Sequence, residues 1–241
     1  MKPERELNSL MSSITERVDA VTKIPPEFLQ STLPAPKSVK IEITPRCNYR
    51  CGFCALRTRE KQPREDMDLY FFKRITSQMS TAGVHEIGVF YLGESFMAPE
   101  LLVECIAWCK QGLRMPYVFL TTNGSLAYPD VVEKCMRAGL DSLKFSVNAA
   151  DRKQFKEVMA VGPKLFDQAL SNIKHAREIR DQGKHPCGLY SSSIQYDGEQ
   201  QKKMEALLDA YVLPYVDEHY WLPLYSMGSF ATAREIGRAN V

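Results

Sequence analysis

The stretch V-K-I-E-I-T-P-R-C-N-Y-R-C-G-F-C, residues 39–54, joins a short β-branched run to a loop that carries Cys47, Cys51 and Cys54 within eight residues. From Val39 onward one pattern repeats: a short β-branched or aromatic run, a loop, then a longer segment with apolar residues at helical spacing. It predicts strands over 39–44, 86–92, 117–122, 142–148, 189–195 and 219–224, and helices over about 69–82, 99–111, 129–138, 165–180 and 200–211. Strands alternating with helices make βα units, and right-handed crossovers set the strands side by side and parallel with the helices outside. The fold class is therefore α/β. Six units predict a partial (β/α)6 barrel, because a closed barrel needs eight; a doubly wound open sheet is the alternative. In either, the chemistry sits at the carboxyl ends of the strands. The cysteine loop leaves the first strand at that end.

Ahead of this core, Leu7, Leu10, Met11, Ile14 and Val18 stand at helical spacing and predict an N-terminal helical extension covering a barrel end. Pro25, Pro26, Pro34 and Pro36 make 24–37 an extended connector. The chain thus divides into a helix and connector (1–36), the barrel (37–225) and a C-terminal connector (226–241). With 241 residues, 44% hydrophobic and 25% charged, it buries a sizeable core, and disorder is excluded. A net charge of +2 gives no support to a nucleic-acid partner. No apolar run approaches the ~18 residues of a membrane helix, and the opening M-K-P-E-R-E-L-N-S-L is charged where a signal peptide has its apolar region. The expected setting is cytoplasmic, without a membrane partner.

Seven cysteines, an odd number with no export signal, read as reduced thiols or metal ligands rather than disulfides. Three thiolates within one loop can converge on a soft metal centre, and Gly52 lets the backbone turn between the second and third. A cubane iron–sulfur cluster normally takes four cysteines, so three leave one iron open to a substrate or cofactor. Zinc with a histidine is the competing use. The nearest histidine, His85, stands at the amino end of the second strand, away from the loop.

The C-x3-C-x2-C spacing, with Phe53 just before the last cysteine, resembles the signature of radical S-adenosylmethionine (radical SAM) enzymes. The resemblance extends, in the family's order, to Y-L-G-E-S at 91–95, T-T-N-G at 121–124 and L-K-F-S-V-N at 143–148. It implies a [4Fe-4S] cluster on Cys47, Cys51 and Cys54, whose open iron chelates S-adenosyl-L-methionine. It also implies one-electron cleavage of the sulfonium to a 5′-deoxyadenosyl radical that abstracts a hydrogen atom from an organic substrate. Gly93 and Glu94 match the motif that approaches the methionyl amino group, with Ser95 where the family usually has proline. Ser146 and Asn148 match the ribose-contacting position, where the family often has aspartate in place of Asn148. The run Ser191-Ser192-Ser193 matches a region that contacts the methionyl carboxylate; Ser191 and Ser193 share one strand face, and the pattern does not choose between the faces. Thr122 and Asn123 are candidate cofactor contacts, with a helix-capping turn as their alternative. The implied partners are a small-molecule or peptide substrate and an external electron donor such as flavodoxin or ferredoxin. The C-terminal run resembles the connector that in many relatives leads into a SPASM or twitch extension, so the chain is expected to be the core of a longer protein.

No catalytic side chain is assigned. The substrate cleft is expected to carry serines and aromatics such as Tyr196, Tyr220 and Tyr225. The rival reading is a non-catalytic iron–sulfur protein for electron transfer or redox sensing, which needs a fourth protein ligand and has no use for Glu94, Ser146 or Asn148. The other cysteines read as packing: Cys105 and Cys109 share a helical stripe with Leu102 and Ile106, Cys135 sits with Val131, Val132 and Met136, and Cys187 opens the fifth strand. Leu69, Phe72, Ile75 and Met79 read as helix core, and the run 153–156 as a solvated face.

Overall fold

The computed structural model describes residues 34–58 and 64–223. The helix expected over 4–20, most of the proline connector, Tyr225 and the tail over 226–241 lie outside the described residues. Strands β1 (Ser38–Lys40), β2 (Glu86–Gly88), β3 (Tyr117–Thr122), β4 (Ser142–Ser146), β5 (Gly188–Ile194) and β6 (Glu218–Leu222) form one sheet in sequential order. Every neighbouring pair is parallel. A doubly wound sheet reverses its strand order at a switch point. Here the order never reverses, so the open partial barrel is the architecture. No described helix is long and apolar enough to cross a membrane.

The helices are α1 (Leu69–Thr81), α2 (Pro99–Ala107), α3 (Pro129–Ala138), α4 (Arg152–Met159), α5 (Lys164–Gly183) and α6 (Gly198–Tyr211). Local chemistry sets their ends. The Asp68 carboxylate accepts from Phe71 N at 2.7 Å and starts α1. Pro99 and Pro129 occupy the first turns of α2 and α3, where the missing N–H costs nothing. Gly139, at φ 107°, ends α3 in the left-handed conformation that a side chain disfavours.

Strand alternation separates two faces. In β3, Val118, Leu120 and Thr122 are buried, while Tyr117, Phe119 and Thr121 are half-buried. The register carries the second set onto Gly88 in β2 and onto Ser142 and Lys144 in β4, so these residues share the inner, concave face. β5 is buried throughout, as a central parallel strand covered on both faces should be.

Three differences from the sequence reading have physical causes. β1 and β2 are three residues each; just beyond them Ile41 N still donates to Gly88 O and Val89 N to Phe119 O, but by Leu92 and Gly93 the amides turn to a side chain, both donating to Glu42 Oε1 at 3.0 and 2.9 Å. The helix expected over 99–111 stops at Ala107 and continues as a π-helical turn, Trp108–Gly112. The run 153–156 is part of α4 rather than a solvated face. Asp151 caps that helix by accepting from Gln154 N at 2.8 Å, and Gln154 and Phe155 are buried.

Cys105, Cys109, Cys135 and Cys187 are all buried in the apolar core. Cys105→Ser places a hydroxyl in that core, and denaturant unfolding should show a loss of about 1–3 kcal/mol. Iron content of the reconstituted protein should be unchanged; loss of iron would make Cys105 a ligand.

Candidate active site

The cysteine loop is held in place by α4. Arg50 N donates to Met159 O at 3.0 Å and Gly52 N donates to Val158 O at 2.9 Å. The last carbonyls of a helix have no partner within it. Here they find one in the backbone between the cysteines. Cys51 Sγ lies 3.2 Å from Met159 Sδ, and Tyr49 packs edge-on against Phe155 of the same helix at 5.3 Å. Cys47, Cys51 and Cys54 are half-buried. Burial pushes the Cys47 thiol up to about 11, with the Glu94 charge adding to it, and raises Cys51 further with help from its neighbouring thiols. These thiols stay protonated until a cation takes the proton's place.

Glu94 joins the next two loops. Its side chain is buried, and burial raises its carboxyl above the ordinary range against the pull of its hydrogen bonds. Oε1 accepts from Thr122 Oγ1 at 2.9 Å and from Phe96 N at 3.1 Å; Oε2 accepts from Asn123 N at 2.7 Å. The Asn123 amide continues the connection, donating to Asn48 Oδ1 at 2.8 Å within the cysteine loop. Thr122 and Asn123 thus bind the end of β3 and its loop to the loop after β2 and to the cysteine loop after β1. Gly93 lacks a side chain for a local reason: an added Cβ would stand 2.0 Å from Thr44 O and 3.0 Å from Arg46 O. Glu94 N donates to that Arg46 carbonyl at 2.8 Å.

On the other side, Asn148 Oδ1 accepts from Ile194 N at 3.0 Å, tying the ends of β4 and β5 together. Ser146 stands on the inner face two residues earlier. Of the serine run, it is Ser192 that shares this face, in register with Ser146. Ser191 bonds to His219 Nδ1 at 2.8 Å and Ser193 donates to Val147 O at 2.5 Å, and both are fully buried.

These loops enclose a cavity of about 430 Å³. Its wall includes Cys47, Cys51 and Cys54, Gly93 and Glu94, Thr122 and Asn123, Ser146 and Asn148, and Ser192; Ser191 and Ser193 lie outside it. Tyr196 and Tyr220 also lie outside, and the aromatic lining comes from Tyr49, Phe53, Phe90, Tyr91, Phe145, Phe155 and Phe166. The sequence reading named the serine run, left its faces open and put forward Ser191 and Ser193, whereas Ser192 is the one in the wall; it missed Phe155 and Met159 by missing α4. The cap Asp151, with Phe155, Val158 and Met159 at helical spacing, was the available signal.

The donor set suits an iron–sulfur cluster: three thiols, a thioether beside one of them, and no histidine in the wall. Among the described residues no three His, Cys, Asp or Glu side chains already meet at one point, so the thiols stand around the cavity wall rather than around a common centre.

Residues 41–209 match the Radical SAM superfamily. The chain belongs to that superfamily. The membership implies a [4Fe-4S] cluster and S-adenosyl-L-methionine as cofactors. Among radical SAM proteins of known name, the chain is 29% identical over 146 residues to a probable GTP 3′,8-cyclase of Saccharolobus solfataricus, 59% of this chain and 44% of that protein. It is 26% identical over 144 residues to the AdoMet-dependent heme synthase of Methanosarcina barkeri, 60% of this chain and 40% of that protein. The matched stretch is less than half of either relative. Among solved structures, Streptococcus suis SuiB bound to its precursor peptide SuiA superposes with a TM-score of 0.64, over 83% of this chain and 42% of that one. At 20% identity the likeness is one of fold.

Glu94→Ala would leave the Thr122 hydroxyl and the Asn123 and Phe96 amides without an acceptor, at about 1–3 kcal/mol for each buried donor left unpaired. Urea unfolding should show that loss, with Glu94→Gln, which keeps one acceptor oxygen, in between. Wild-type stability in Glu94→Ala would mean the carboxylate does not tie these loops.

Proposed function

We propose that this chain is a radical SAM enzyme that binds a [4Fe-4S] cluster through Cys47, Cys51 and Cys54, binds S-adenosyl-L-methionine in the adjoining cavity, and abstracts a hydrogen atom from a small-molecule or peptide substrate. The observation that carries the reading is the single cavity whose wall holds the three thiols together with Gly93–Glu94, Asn123, Ser146 and Asn148. A cluster held by these thiols and reduced by an external donor such as flavodoxin or ferredoxin would supply the single electron needed for reductive cleavage of S-adenosyl-L-methionine to methionine and a 5′-deoxyadenosyl radical.

The chain's own residues bind and orient. Carbonyl oxygens of the 93–94 segment accept from the methionyl ammonium, which Gly93 lets approach closely. Asn148 spends Oδ1 on Ile194 and keeps its Nδ2 for the ribose, beside the Ser146 hydroxyl. Ser192, rather than Ser191 or Ser193, is the hydroxyl placed to reach the methionyl carboxylate. Phe53, Phe90, Phe155 and Phe166 make a dry wall, which protects a reactive radical from side reactions. The range of the relatives is wide: one is named for GTP, another for heme, and SuiB was solved with a peptide. The electron-carrier alternative wants a fourth cysteine or histidine ligand, and among the described residues the wall offers none beyond the three thiols.

Electron paramagnetic resonance of the anaerobically reconstituted, reduced protein should show a cluster signal that shifts on adding S-adenosyl-L-methionine. Single Ala replacements of Cys47, Cys51 or Cys54 should each remove the brown chromophore and the signal while the protein stays folded. A cluster spectrum indifferent to S-adenosyl-L-methionine would favour the electron carrier.

A further inference from the structure

The sulfurs of the cysteine loop are served unequally. Cys47 Sγ accepts from Tyr49 N at 3.4 Å. Cys51 Sγ faces an acceptor instead, donating its own proton to Met159 Sδ at 3.2 Å. The amides on either side of Cys51 are spent elsewhere, Arg50 N on Met159 O at 3.0 Å and Gly52 N on Val158 O at 2.9 Å. Among the described residues, the amide left beside Cys51 Sγ is that of Cys51 itself. The three groups that produce this pattern, two carbonyls and a thioether, belong to the last two residues of α4. Met159 is 3% exposed and stands in the cavity wall, so its side chain also covers one side of that sulfur against water.

A thioether sulfur accepts weakly and has no hydrogen to donate. Once iron replaces the thiol proton, Cys51 Sγ is an acceptor set against another acceptor. Hydrogen bonds to the sulfurs and exposure to solvent are among the factors that set an iron–sulfur potential. A donor draws electron density from the sulfur and so favours the reduced, more negative cluster. Withholding donors makes a cluster harder to reduce and, once reduced, a stronger reductant. We infer that the end of α4 withholds hydrogen-bond donors from Cys51 Sγ, and that the Met159 side chain is a tuning group that keeps the cluster's potential low. The inference rests on the proposed function for the cluster itself and deepens it, because breaking a sulfonium with a single electron demands a strong reductant. The Val158 and Met159 carbonyls stay in place when the Met159 side chain is replaced, so its role can be tested without releasing the loop.

The test is an equilibrium redox titration of the full reconstituted chain, read by electron paramagnetic resonance of the reduced cluster, with Met159→Gln, Met159→Ala and Met159→Leu beside the parent. Glutamine is close to methionine in size and brings an N–H donor; alanine leaves room for water from the cavity; leucine is apolar and brings neither. Met159→Gln and Met159→Ala should both move the midpoint positive. At the parent's midpoint their ratio of reduced to oxidised cluster should rise tenfold or more, about 59 mV for one electron. Met159→Leu should stay within twofold of the parent. A parent-like midpoint in either of the first two overturns the inference, and if one of them does not fold the other decides. An equal shift in Met159→Leu also overturns it, since lost packing rather than a gained donor would then be the cause. A cluster signal indifferent to S-adenosyl-L-methionine counts against the proposed function alone, because these midpoints are read without it. Failure of the parent to assemble a cluster on the three thiols overturns both.

Discussion

A single buried carboxylate holds the catalytic rim together. Glu94 leaves the loop after β2, takes its hydrogen bonds from that loop and from the one after β3, and through Asn123 reaches the cysteine loop after β1. Loops on a barrel rim have few neighbours of their own, and each would be free to move independently of the strands beneath. A desolvated acceptor satisfied by donors from two chain segments removes that freedom, because releasing either segment strands polar atoms in an apolar wall. Glu42 does the same from below, gathering the Leu92 and Gly93 amides. Between these two carboxylates the backbone at Gly93 has so little room that a single methyl group would collide with Thr44.

With the rim fixed, the concave face divides by height. The cavity at the carboxyl end is largely aromatic and aliphatic, with hydroxyls and amides placed singly around it. Below it the face turns polar, with Lys40, Lys144 and Tyr220 among aromatic rings.

The architecture was largely legible in the sequence. The alternation of β-branched runs with helical-period segments located all six strands, and α3 was placed residue for residue at 129–138. The motifs also lay on the loops expected of them, since parallel α/β folds leave little choice of end. The failures arose where side chains compete with backbone rules. Glu42 captured amides that strand pattern alone would have given to the ladder. In the serine run, three identical residues carry no periodicity, so only the register with Ser146 reveals that Ser192 faces inward. Helix α4 was hidden by its charge, because R-K-Q-F-K-E-V-M reads as solvent-facing unless Asp151 is recognised as a cap. The roles first attributed to Glu94 and Gly93 through a ligand turn out to have structural reasons as well, which no motif spacing expresses.

The docking of the cysteine loop onto α4 also orders events in time. Cys51 and Met159 are 108 residues apart in the chain, yet the carbonyls that position the backbone between the cysteines belong to the end of that helix. A ribosome releases the thiols first and the helix several seconds later, at typical rates of ~5–20 residues per second. During that interval the cysteine loop lacks the helix carbonyls that hold its backbone. The loop's backbone therefore takes its shape only once α4 has been made and has folded against it.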